Sequence, residues 1–400
     1  MIINPIIQGV IARSAHPSGC EEAIRRQITY CRGAQPIGPG PKRALILGAS
    51  SGFGLATRIA LAFGGTGTDT LGVSFERGPS DKGVGSAGWY NNVYFRQAAE
   101  QAGLKAPNLV GDAFSPATRQ QVIDTIRTDF GGQVDLIVYS LASGIRPNPD
   151  TGDFWRSSIK PIGQPYQGAT LDLEHQILTQ TTLPPASAQE IHDTVKVMGG
   201  EDWASWIDAL AQADVLAPGC KTLAYSYIGP SHTYPIYHHG TLGKAKEDLH
   251  QTADRLHQQL ASIGGEAYVA VCKALITKAS VFIPGLSPYL LALFQVMKAK
   301  GLHEGCIEQM QRLLSQRLYP ENGRVVTDPQ RLIRVDDWEL SDDVQQEVSR
   351  LLAQMTPENF REYGDVDGYL TDFLHLNGFG FENIDYTQPI DPSALYRLKP

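Results

Sequence analysis

A strand-like apolar run that passes directly into a glycine-rich turn constrains the fold of this chain more than any other feature. The stretch KRALILGASSGFGL carries the apolar run Ala44–Leu47, then Gly48, Gly52 and Gly54, and a helical pattern follows. A buried strand that turns sharply into a helix exposes the first N–H groups of that helix, and these groups favour a pyrophosphate. Glycines are needed because a Cβ atom would block the turn and the approach of a phosphate. The motif predicts dinucleotide binding, with an ordinary strand-to-helix turn as the alternative.

The composition indicates a soluble globular protein. Of 400 residues, 42% are hydrophobic and 19% are charged, which provides for a large core and argues against disorder. The formal net charge of −8 disfavours a general nucleic-acid surface. The five cysteines are scattered and form no CxxC motif, which indicates reduced thiols rather than a disulfide framework or a zinc site. We therefore expect a cytoplasmic protein with no metal, no nucleic-acid partner and no membrane insertion.

Strand and helix patterns alternate along the chain. The predicted strands are Ala44–Leu47, Thr70–Phe75, Pro107–Val110, Val134–Ser140, Thr222–Tyr227 and Tyr268–Val271. The predicted helices are Leu55–Phe63, Asn92–Ala102, Arg119–Phe130, Leu242–Leu260 and Asp342–Gln354, and Ile283–Leu318 is predicted to be mostly helical. This alternation predicts an α/β protein with a Rossmann-type doubly wound parallel sheet covered on both faces.

We expect one enlarged Rossmann-type domain over residues 1–400. Its parts are N-terminal strands with a helix, the dinucleotide-binding half, an insertion, a catalytic and substrate-binding part and a C-terminal extension, at residues 1–40, 41–143, 144–220, 221–320 and 321–400. The N-terminal part is expected to begin with a strand pair. The insertion is rich in Pro, Gly and Thr, which predicts a hairpin or a lid. The tail is expected to be irregular after Gly378.

Polar residues follow the predicted strands, and in open α/β sheets ligands lie at the carboxyl ends of strands. Glu76 follows the second strand, where such folds bind the adenine ribose. A carboxylate there accepts from the 2′-OH and repels a 2′-phosphate, which favours NADH, although Arg77 could partly accommodate a phosphate. Asp112 after the third strand fits a contact to the adenine amino group. A solvated strand-end charge is the alternative for Glu76.

A second signal is the stretch AYSYIGPSHTYPIYHHGTLGKAK, which places Tyr237 before a lysine-bearing helix. A tyrosine hydroxyl can serve as a proton donor when a nearby ammonium lowers its pKa. The usual Tyr-x3-Lys spacing of short-chain reductases fails here, because that position is Thr241. Lys244 (x6) and Lys246 (x8) remain. The x8 pair requires a break in the helix, for which Gly240 and an N-cap at Thr241 are candidates.

These motifs together resemble the FabV-type enoyl-acyl-carrier-protein reductases and the similar trans-2-enoyl-CoA reductases, in the short-chain dehydrogenase/reductase superfamily. The stretches that carry the resemblance are INPIIQGVIARSAHPSGCE, GASSGFGLATRIA, SAGWYNN, SLASG, YSYIGP, CKALITKAS and the Tyr-x8-Lys pair. The resemblance covers essentially the whole chain. It implies a monomer that uses NADH to reduce the trans-2 double bond of enoyl thioesters in fatty-acid elongation.

The resemblance also implies roles for individual residues. Tyr237 would be the proton donor or oxyanion stabiliser, Lys246 would bind the nicotinamide ribose, and Tyr227 would contact the thioester carbonyl. The helix around Tyr289 would border the acyl-chain pocket. The residues that would line NADH are Gly48, Ala49, Ser50, Ser51, Gly52, Phe53, Phe75, Glu76, Asp112, Ala113, Leu141, Ala142, Lys246, Leu275, Ile276 and Thr277.

Other interpretations stay open. Tyr227 and Tyr237 could belong to a packed aromatic cluster. His232, His238 and His239 read as loop histidines, because no acidic or Cys partner is suitably spaced for a metal. The runner-up function is a reductase that works mainly on short enoyl-CoA, and a catalytically silent NAD-sensing module is a further alternative. A carbonyl reductase is a third alternative function. Such an enzyme normally needs a Ser–Tyr–x3–Lys set, which this chain lacks.

The carrier of the substrate, acyl carrier protein or CoA, is not determined by the sequence. An acidic carrier protein would need a local basic patch near the mouth of the pocket. The candidates for such a patch are Lys298, Lys300, Arg312 and Arg317. A solvated helix face is the alternative.

Overall fold

The computed structural model describes residues 1–81 and 83–400, and Lys82, within the glycine-rich stretch Gly78–Gly88, lies outside the described residues. The described chain divides into two compact units. The first unit comprises Met1–Ser140, Gly305–Val326 and Leu370–Pro400, and the second comprises Leu141–Glu304 and Thr327–Tyr369.

The strands and helices are numbered along the chain. The strands are β1 Ile7–Gln8, β2 Ile11–Ala12, β3 Arg43–Leu47, β4 Asp69–Ser74, β5 Asn108–Val110, β6 Val134–Tyr139, β7 Ile145–Pro147, β8 Phe154–Arg156, β9 Tyr166–Asp172, β10 Ile177–Leu183, β11 Leu216–Ser226, β12 Glu266–Val271 and β13 Leu332–Arg334. The helices are α1 Pro17–Gly33, α2 Gly52–Phe63, α3 Ala87–Gln101, α4 Pro116–Thr128, α5 Ala188–Met198, α6 Glu201–Gln212, α7 Thr241–Leu260, α8 Leu286–Ala299, α9 Cys306–Arg312, α10 Asp342–Gln354, α11 Phe360–Tyr363, α12 Val366–His375 and α13 Pro392–Arg397. In the described part of the chain, no helix is long and apolar enough to cross a membrane.

The first unit contains parallel strands in the order β6-β3-β4-β5, and β1 and β2 form the predicted antiparallel pair. Ala44–Leu47 of β3 is fully buried, because a parallel sheet is covered by helices on both faces. In the first unit a helix follows a strand along the chain, as α2 follows β3 and α4 follows β5. The unit is therefore built as the alternating strand and helix signals predict.

A buried arginine ties α2 to the neighbouring strands of the first unit. Arg58 is 0% exposed, and its guanidinium donates to the hydroxyl of Thr70 at 2.9 Å and to the carbonyl oxygens of Ala106 and Pro107 at 3.1 and 2.9 Å. Burial lowers the pKa of Arg58 to about 9. Its donors satisfy the carbonyl groups of the chain that leads into β5, so the charge is placed among hydrogen-bond acceptors.

The second unit contains parallel strands in the order β11-β12-β13, with α7 connecting β11 to β12. The predicted insertion contains two antiparallel hairpins, β7 with β8 and β9 with β10, followed by α5 and α6. The Rossmann-type α/β prediction is confirmed, with parallel strands and connecting helices in both units.

Several boundaries differ from the predictions. Strand β4 ends at Ser74, so Phe75 lies beyond it and is 82% exposed. Strand β11 begins at Leu216 rather than at Thr222, and α3 begins at Ala87 rather than at Asn92. The elements not predicted are β13, α5, α6, α11, α12 and α13, and the last of these corrects the expectation of an irregular tail.

Candidate active site

The glycine-rich turn after β3 has the geometry that a bound phosphate requires. Gly48 and Gly52 have φ of +88° and +55°, a region that favours glycine. A Cβ atom at Gly54 would lie 2.0 Å from the carbonyl oxygen of Gly48. Ser51 is the N-cap of α2 and makes no side-chain capping hydrogen bond, so the first N–H groups of α2 have no side-chain cap. The residues present therefore fit the pyrophosphate of a dinucleotide.

Glu76 lies against this turn. Its Oε1 accepts from the hydroxyl of Ser50 at 2.6 Å, and its Oε2 accepts from the hydroxyl of Ser86. The side-chain amide of Asn91 donates to the carbonyl oxygen of Ser50 at 2.9 Å. The carboxylate is thus fixed at the edge of the predicted phosphate loop, next to the exposed ring of Phe75. Ser86 and Asn91 were not predicted as site residues, although both belong to the stretch SAGWYNN.

The other predicted cofactor residues lie at strand ends. Asp112 follows β5 and is half-buried, and its Oδ1 accepts from the backbone N–H of Phe114 at 2.9 Å. Ala113 is 6% exposed. Leu141 and Ala142, which follow β6 in sequence, belong to the second unit, where the first is half-buried and the second is exposed.

Tyr227 and Tyr237 are brought together in the second unit. Their ring centroids are 4.9 Å apart, and the rings are nearly perpendicular at 87°. Tyr227 directly follows β11, and Tyr237 lies in the turn before α7 and is 6% exposed. Burial raises the pKa of both hydroxyls. Both tyrosines are therefore neutral near pH 7, and each can donate one hydrogen bond.

The start of α7 distinguishes the two candidate lysines. The N-cap is Gly240 in an extended conformation, so the expected helix break is present. The prediction that Thr241 is the N-cap was wrong, because Thr241 is the first helical residue and its hydroxyl donates to the carbonyl oxygen of Ser158 instead.

Lys246 faces inward and Lys244 faces solvent. The Nζ of Lys246 donates to the carbonyl oxygen of Tyr225 at 3.0 Å, and burial lowers the pKa of Lys246 to about 8. Lys244 is exposed and pairs with Glu247 at 2.8 Å. The expected lowering of the Tyr237 pKa by an ammonium was wrong, because burial, followed by the nearby Cys272, raises that pKa.

The segment after β12 is held in shape by Ser280. The Ser280 hydroxyl donates to the carbonyl oxygen of Leu275 at 2.6 Å and accepts from the backbone N–H of Thr277 at 2.9 Å. Leu275 and Ile276 are buried, at 5% and 6% exposure. Ser280 organises this turn, a role that nothing in the sequence pattern indicated.

A buried carboxyl group, Glu339, lies next to the tyrosine pair. Glu339 is 0% exposed, and its Oε1 accepts from the hydroxyls of Tyr227 and Tyr289 at 3.1 and 2.7 Å. Its Oε2 accepts from the backbone N–H of Ala274 at 2.8 Å. Burial raises the pKa of Glu339. Sequence reasoning missed this residue, which lies in the acid-rich stretch RVDDWELSDD.

The three loop histidines contact a serine hydroxyl or a tyrosine ring. The Nε2 of His232 lies 2.7 Å from the hydroxyl of Ser349. His238 and His239 pack against the ring of Tyr234, at centroid distances of 4.7 and 5.2 Å. Over residues 1–81 and 83–400, no group of three or more metal-ligating side chains occurs.

Of the basic residues considered for carrier docking, Lys298 and Lys300 are ion-paired and Arg312 is buried. Lys298 pairs with Asp365, and Lys300 pairs with two acidic residues of α10. Arg312 is 6% exposed. Three of the four candidates for a carrier-docking patch are therefore ion-paired or buried.

The chain matches family models over nearly its whole length. The trans-2-enoyl-CoA reductase catalytic region matches residues 83–319, and the NAD(P)H binding domain of trans-2-enoyl-CoA reductase matches residues 2–81. A third model, an enoyl reductase FAD binding domain, matches residues 327–390.

Relatives and solved structures match over the same length. An enoyl-[acyl-carrier-protein] reductase [NADH] of Photobacterium profundum is 64% identical over 100% of both chains, and one of Vibrio cholerae is 60% identical over 98% of both. The structure of the Clostridium acetobutulicum trans-2-enoyl-CoA reductase in complex with NADH has a TM-score of 0.97 and 45% identity over 100% of both chains. That of the Treponema denticola enzyme with NAD has a TM-score of 0.92 and 46% identity over 98% of both.

Residues 327–390 do not fit a flavin. The segment has no strand that passes through a glycine-rich turn into a helix, and two of its glycines are closely packed. A Cβ atom at Gly364 would lie 2.6 Å from Leu291, and one at Gly368 would lie 2.2 Å from both Asp365 and Lys298.

Proposed function

The chain belongs to the family of NADH-dependent enoyl-acyl-carrier-protein reductases and trans-2-enoyl-CoA reductases, and we propose that its own residues carry out the reaction as follows. The protein is an oxidoreductase that uses NADH and reduces enoyl thioesters. The observation that carries the assignment of residues is the close pair of neutral tyrosines, Tyr227 and Tyr237, on the unit that also holds Lys246.

The glycine-rich turn and the residues that follow β4 and β5 bind the adenosine and pyrophosphate parts of NADH. The residues Gly48, Ala49, Ser50, Ser51, Gly52 and Phe53 cradle the pyrophosphate at the start of α2. Glu76 accepts from the adenine ribose, and Phe75 offers its exposed ring to the adenine. Asp112 and Ala113 complete the adenine side. This assignment is supported by the glycine conformations and by the hydrogen bond from Ser50 to Glu76.

Lys246 and the tyrosine pair hold the nicotinamide ribose and the thioester. Lys246 donates to the ribose hydroxyls, and Leu141, Ala142, Leu275, Ile276 and Thr277 line the nicotinamide end. The bound NADH supplies a hydride to C3 of the trans-2-enoyl chain. Negative charge then develops on the thioester oxygen, which Tyr227 and Tyr237 stabilise by donating hydrogen bonds. In a later step the hydroxyl proton of Tyr237 is transferred to C2, which completes the saturated acyl thioester, and a proton from solvent restores the Tyr237 hydroxyl.

A cavity of about 250 Å³ within the second unit supports a place for the acyl chain. Its wall includes Tyr289 and Pro288 of α8, Leu178 of β10, and Leu352 and Met355. The same helix, α8, is buried and apolar along much of its length. We assign this cavity to the acyl chain.

The substrates are enoyl thioesters on acyl carrier protein and also on CoA, and the process is fatty-acid elongation. The support is that the relatives of 64% and 60% identity are named for the acyl-carrier-protein substrate. The test is to compare kcat/KM for one enoyl chain on both carriers. We expect the higher value on acyl carrier protein, and a higher value on CoA would assign the chain to the runner-up function, a short-chain enoyl-CoA reductase.

The protein acts as one enlarged reductase domain, as a monomer in the cytoplasm. Matches over the full length of relatives support one functional domain. The five cysteines form no disulfide within the described residues, which suits a reducing compartment. Light scattering coupled to size-exclusion chromatography should give a mass near 43.6 kDa. A mass of twice that value would contradict the monomer.

Replacing Glu76 by alanine should relax the selection of NADH over NADPH. The substitution removes a negative charge that repels the 2′-phosphate, so we expect kcat/KM with NADPH, relative to NADH, to rise by about tenfold or more. KM for NADH should rise modestly. Glu100→Ala, at an exposed ion pair with Arg96 on α3, is the matched control and should change neither value. If kcat/KM with NADPH relative to NADH is unchanged in Glu76→Ala, Glu76 does not contact the adenine ribose.

A further inference from the structure

The hydrogen bond between Tyr227 and Glu339 conflicts with the proposal that Tyr227 donates a hydrogen bond to the thioester oxygen. A tyrosine hydroxyl has one proton to donate. If Glu339 is ionised, Tyr227 donates that proton to Oε1, which lies 3.1 Å away. The same proton is then not available to the thioester oxygen. An ionised Glu339 would also place a negative charge near the oxygen on which negative charge develops.

We propose that Glu339 is a positioning residue that acts through Tyr227. In the reactive enzyme the carboxyl group of Glu339 keeps its proton and donates a hydrogen bond to the phenolic oxygen of Tyr227. The hydroxyl proton of Tyr227 is thereby free for the thioester oxygen. Glu339 transfers no proton in this scheme and returns unchanged after each turnover. The inference rests on the proposed role of Tyr227 at the thioester.

Tyr289 determines which groups donate and which accept in the hydrogen bonds around Glu339. Tyr289 lies 2.7 Å from the same Oε1 and accepts from the side-chain amide of Gln345 at 3.0 Å. Because Gln345 takes up the acceptor side of the Tyr289 hydroxyl, the proton of Tyr289 points to Glu339. A protonated Oε1 can accept from Tyr289 and donate to Tyr227 at once.

The surroundings of Glu339 favour its neutral form. The carboxyl group is 0% exposed, and its loss of hydration is the largest influence on its pKa, which is raised. Within the described part of the chain, no cation lies within salt-bridge distance of Glu339. The charged groups that face it are Lys273, after β12, which favours the ionised form, and Asp336, on its own segment, which opposes it. Lys273 donates to the carbonyl oxygens of Ala274 and Glu304 at 3.2 and 3.3 Å.

The pH dependence of Glu339→Gln tests the proposal. The amide nitrogen of glutamine donates to Tyr227 at every pH, and its oxygen still accepts from the backbone N–H of Ala274. The nitrogen cannot accept from Tyr289, so the variant loses that hydrogen bond at every pH, which shifts the ratio by a constant factor. In the unsubstituted protein the neutral fraction of Glu339 falls as the pH rises through its raised pKa, so kcat/KM falls with it. We expect the ratio of kcat/KM, Glu339→Gln over unsubstituted protein, to rise by up to about tenfold per pH unit once the pH exceeds the raised pKa of Glu339, with crotonyl-CoA and NADH as substrates.

Comparison as a ratio separates Glu339 from other titrating groups. Lys246, with a pKa of about 8, titrates in both proteins and cancels. Glu266→Gln is the matched control, because Glu266 accepts from the hydroxyl of Tyr268 at 2.9 Å at the amino end of β12. Its ratio to the unsubstituted protein should stay constant with pH. A constant ratio for Glu339→Gln as well would overturn the proposal.

A second variant serves if Glu339→Gln does not fold. Tyr289→Phe removes one donor to the ionised carboxyl group and so raises the pKa of Glu339 further. The fall of kcat/KM should then move to higher pH, and a fall at unchanged pH would overturn the proposal. If the unsubstituted protein is active but the ratio of kcat/KM between the variant and the unsubstituted protein is constant with pH, only the role of Glu339 is contradicted. If the unsubstituted protein itself does not turn over, the proposed function is contradicted.

Discussion

Replacing Tyr237 by phenylalanine should lower kcat by about 10²- to 10³-fold, which corresponds to about 3 to 4 kcal/mol of transition-state stabilisation. The substitution keeps the ring and its perpendicular contact with Tyr227, and it removes only the hydroxyl. If that hydroxyl donates to the thioester oxygen, a contact made in the transition state is lost. The dissociation constant of NADH should change little, because the hydroxyl acts on the substrate.

Two further substitutions show whether the effect is specific. Tyr227→Phe should lower kcat less than Tyr237→Phe, because two donors share the developing charge and only Tyr237 also supplies the proton. Tyr234→Phe is the matched control in the same turn, where the ring packs against His238, and should be nearly neutral. A near-normal kcat for Tyr237→Phe, with an intact fold by circular dichroism, would remove Tyr237 from the mechanism.

The second large effect should come from Lys246. Lys246→Ala should lower kcat/KM by about 10²-fold or more, because the ammonium that we assign to the nicotinamide ribose is lost. Lys244→Ala, on the same helix and two residues away, removes an exposed ion pair with Glu247 and should keep most of the activity. Steady-state kinetics of both variants make the comparison. The opposite ranking would assign the role to the x6 lysine.

The sign of the pH dependence of Lys246 follows from its pKa of about 8. The ammonium is present below that pH and is lost as the pH rises through it. Binding of NADH should therefore weaken above about pH 8 in the unsubstituted protein. In Lys246→Ala this loss should be absent, which a titration of NADH fluorescence would detect.

Much of the fold follows from local patterns. The apolar run of β3, the glycines after it and the helical spacing of α2 all lie within one short stretch, so the sequence was sufficient to predict the turn. Strands and helices with strong periodicity, such as α7 and α10, were also predictable. In contrast, β13 is only three residues long and has no pattern of its own. Helix α5 carries a capping box from Ser187 to Glu190, which is a readable signal that the Pro-rich neighbourhood obscured.

The candidate site was less predictable where it depends on burial. The choice between Lys244 and Lys246 depends on where α7 begins, and the spacing alone left both open. The raised pKa of Tyr237 results from its burial, which no spacing reports. Glu339 gains its importance from Tyr227, Tyr289 and Ala274, which lie in three separate segments. Only the folded chain places them around one carboxyl group.

The most direct test follows the hydride itself. The protein is supplied with crotonyl-CoA and NADH that carries deuterium at the transferred position, and the product is analysed by mass spectrometry and NMR. We expect equal amounts of NADH consumed and saturated thioester formed, with the deuterium at C3. No consumption of NADH, or a saturated product without deuterium at C3, would contradict the assignment of the chain as an enoyl-thioester reductase that works by hydride transfer.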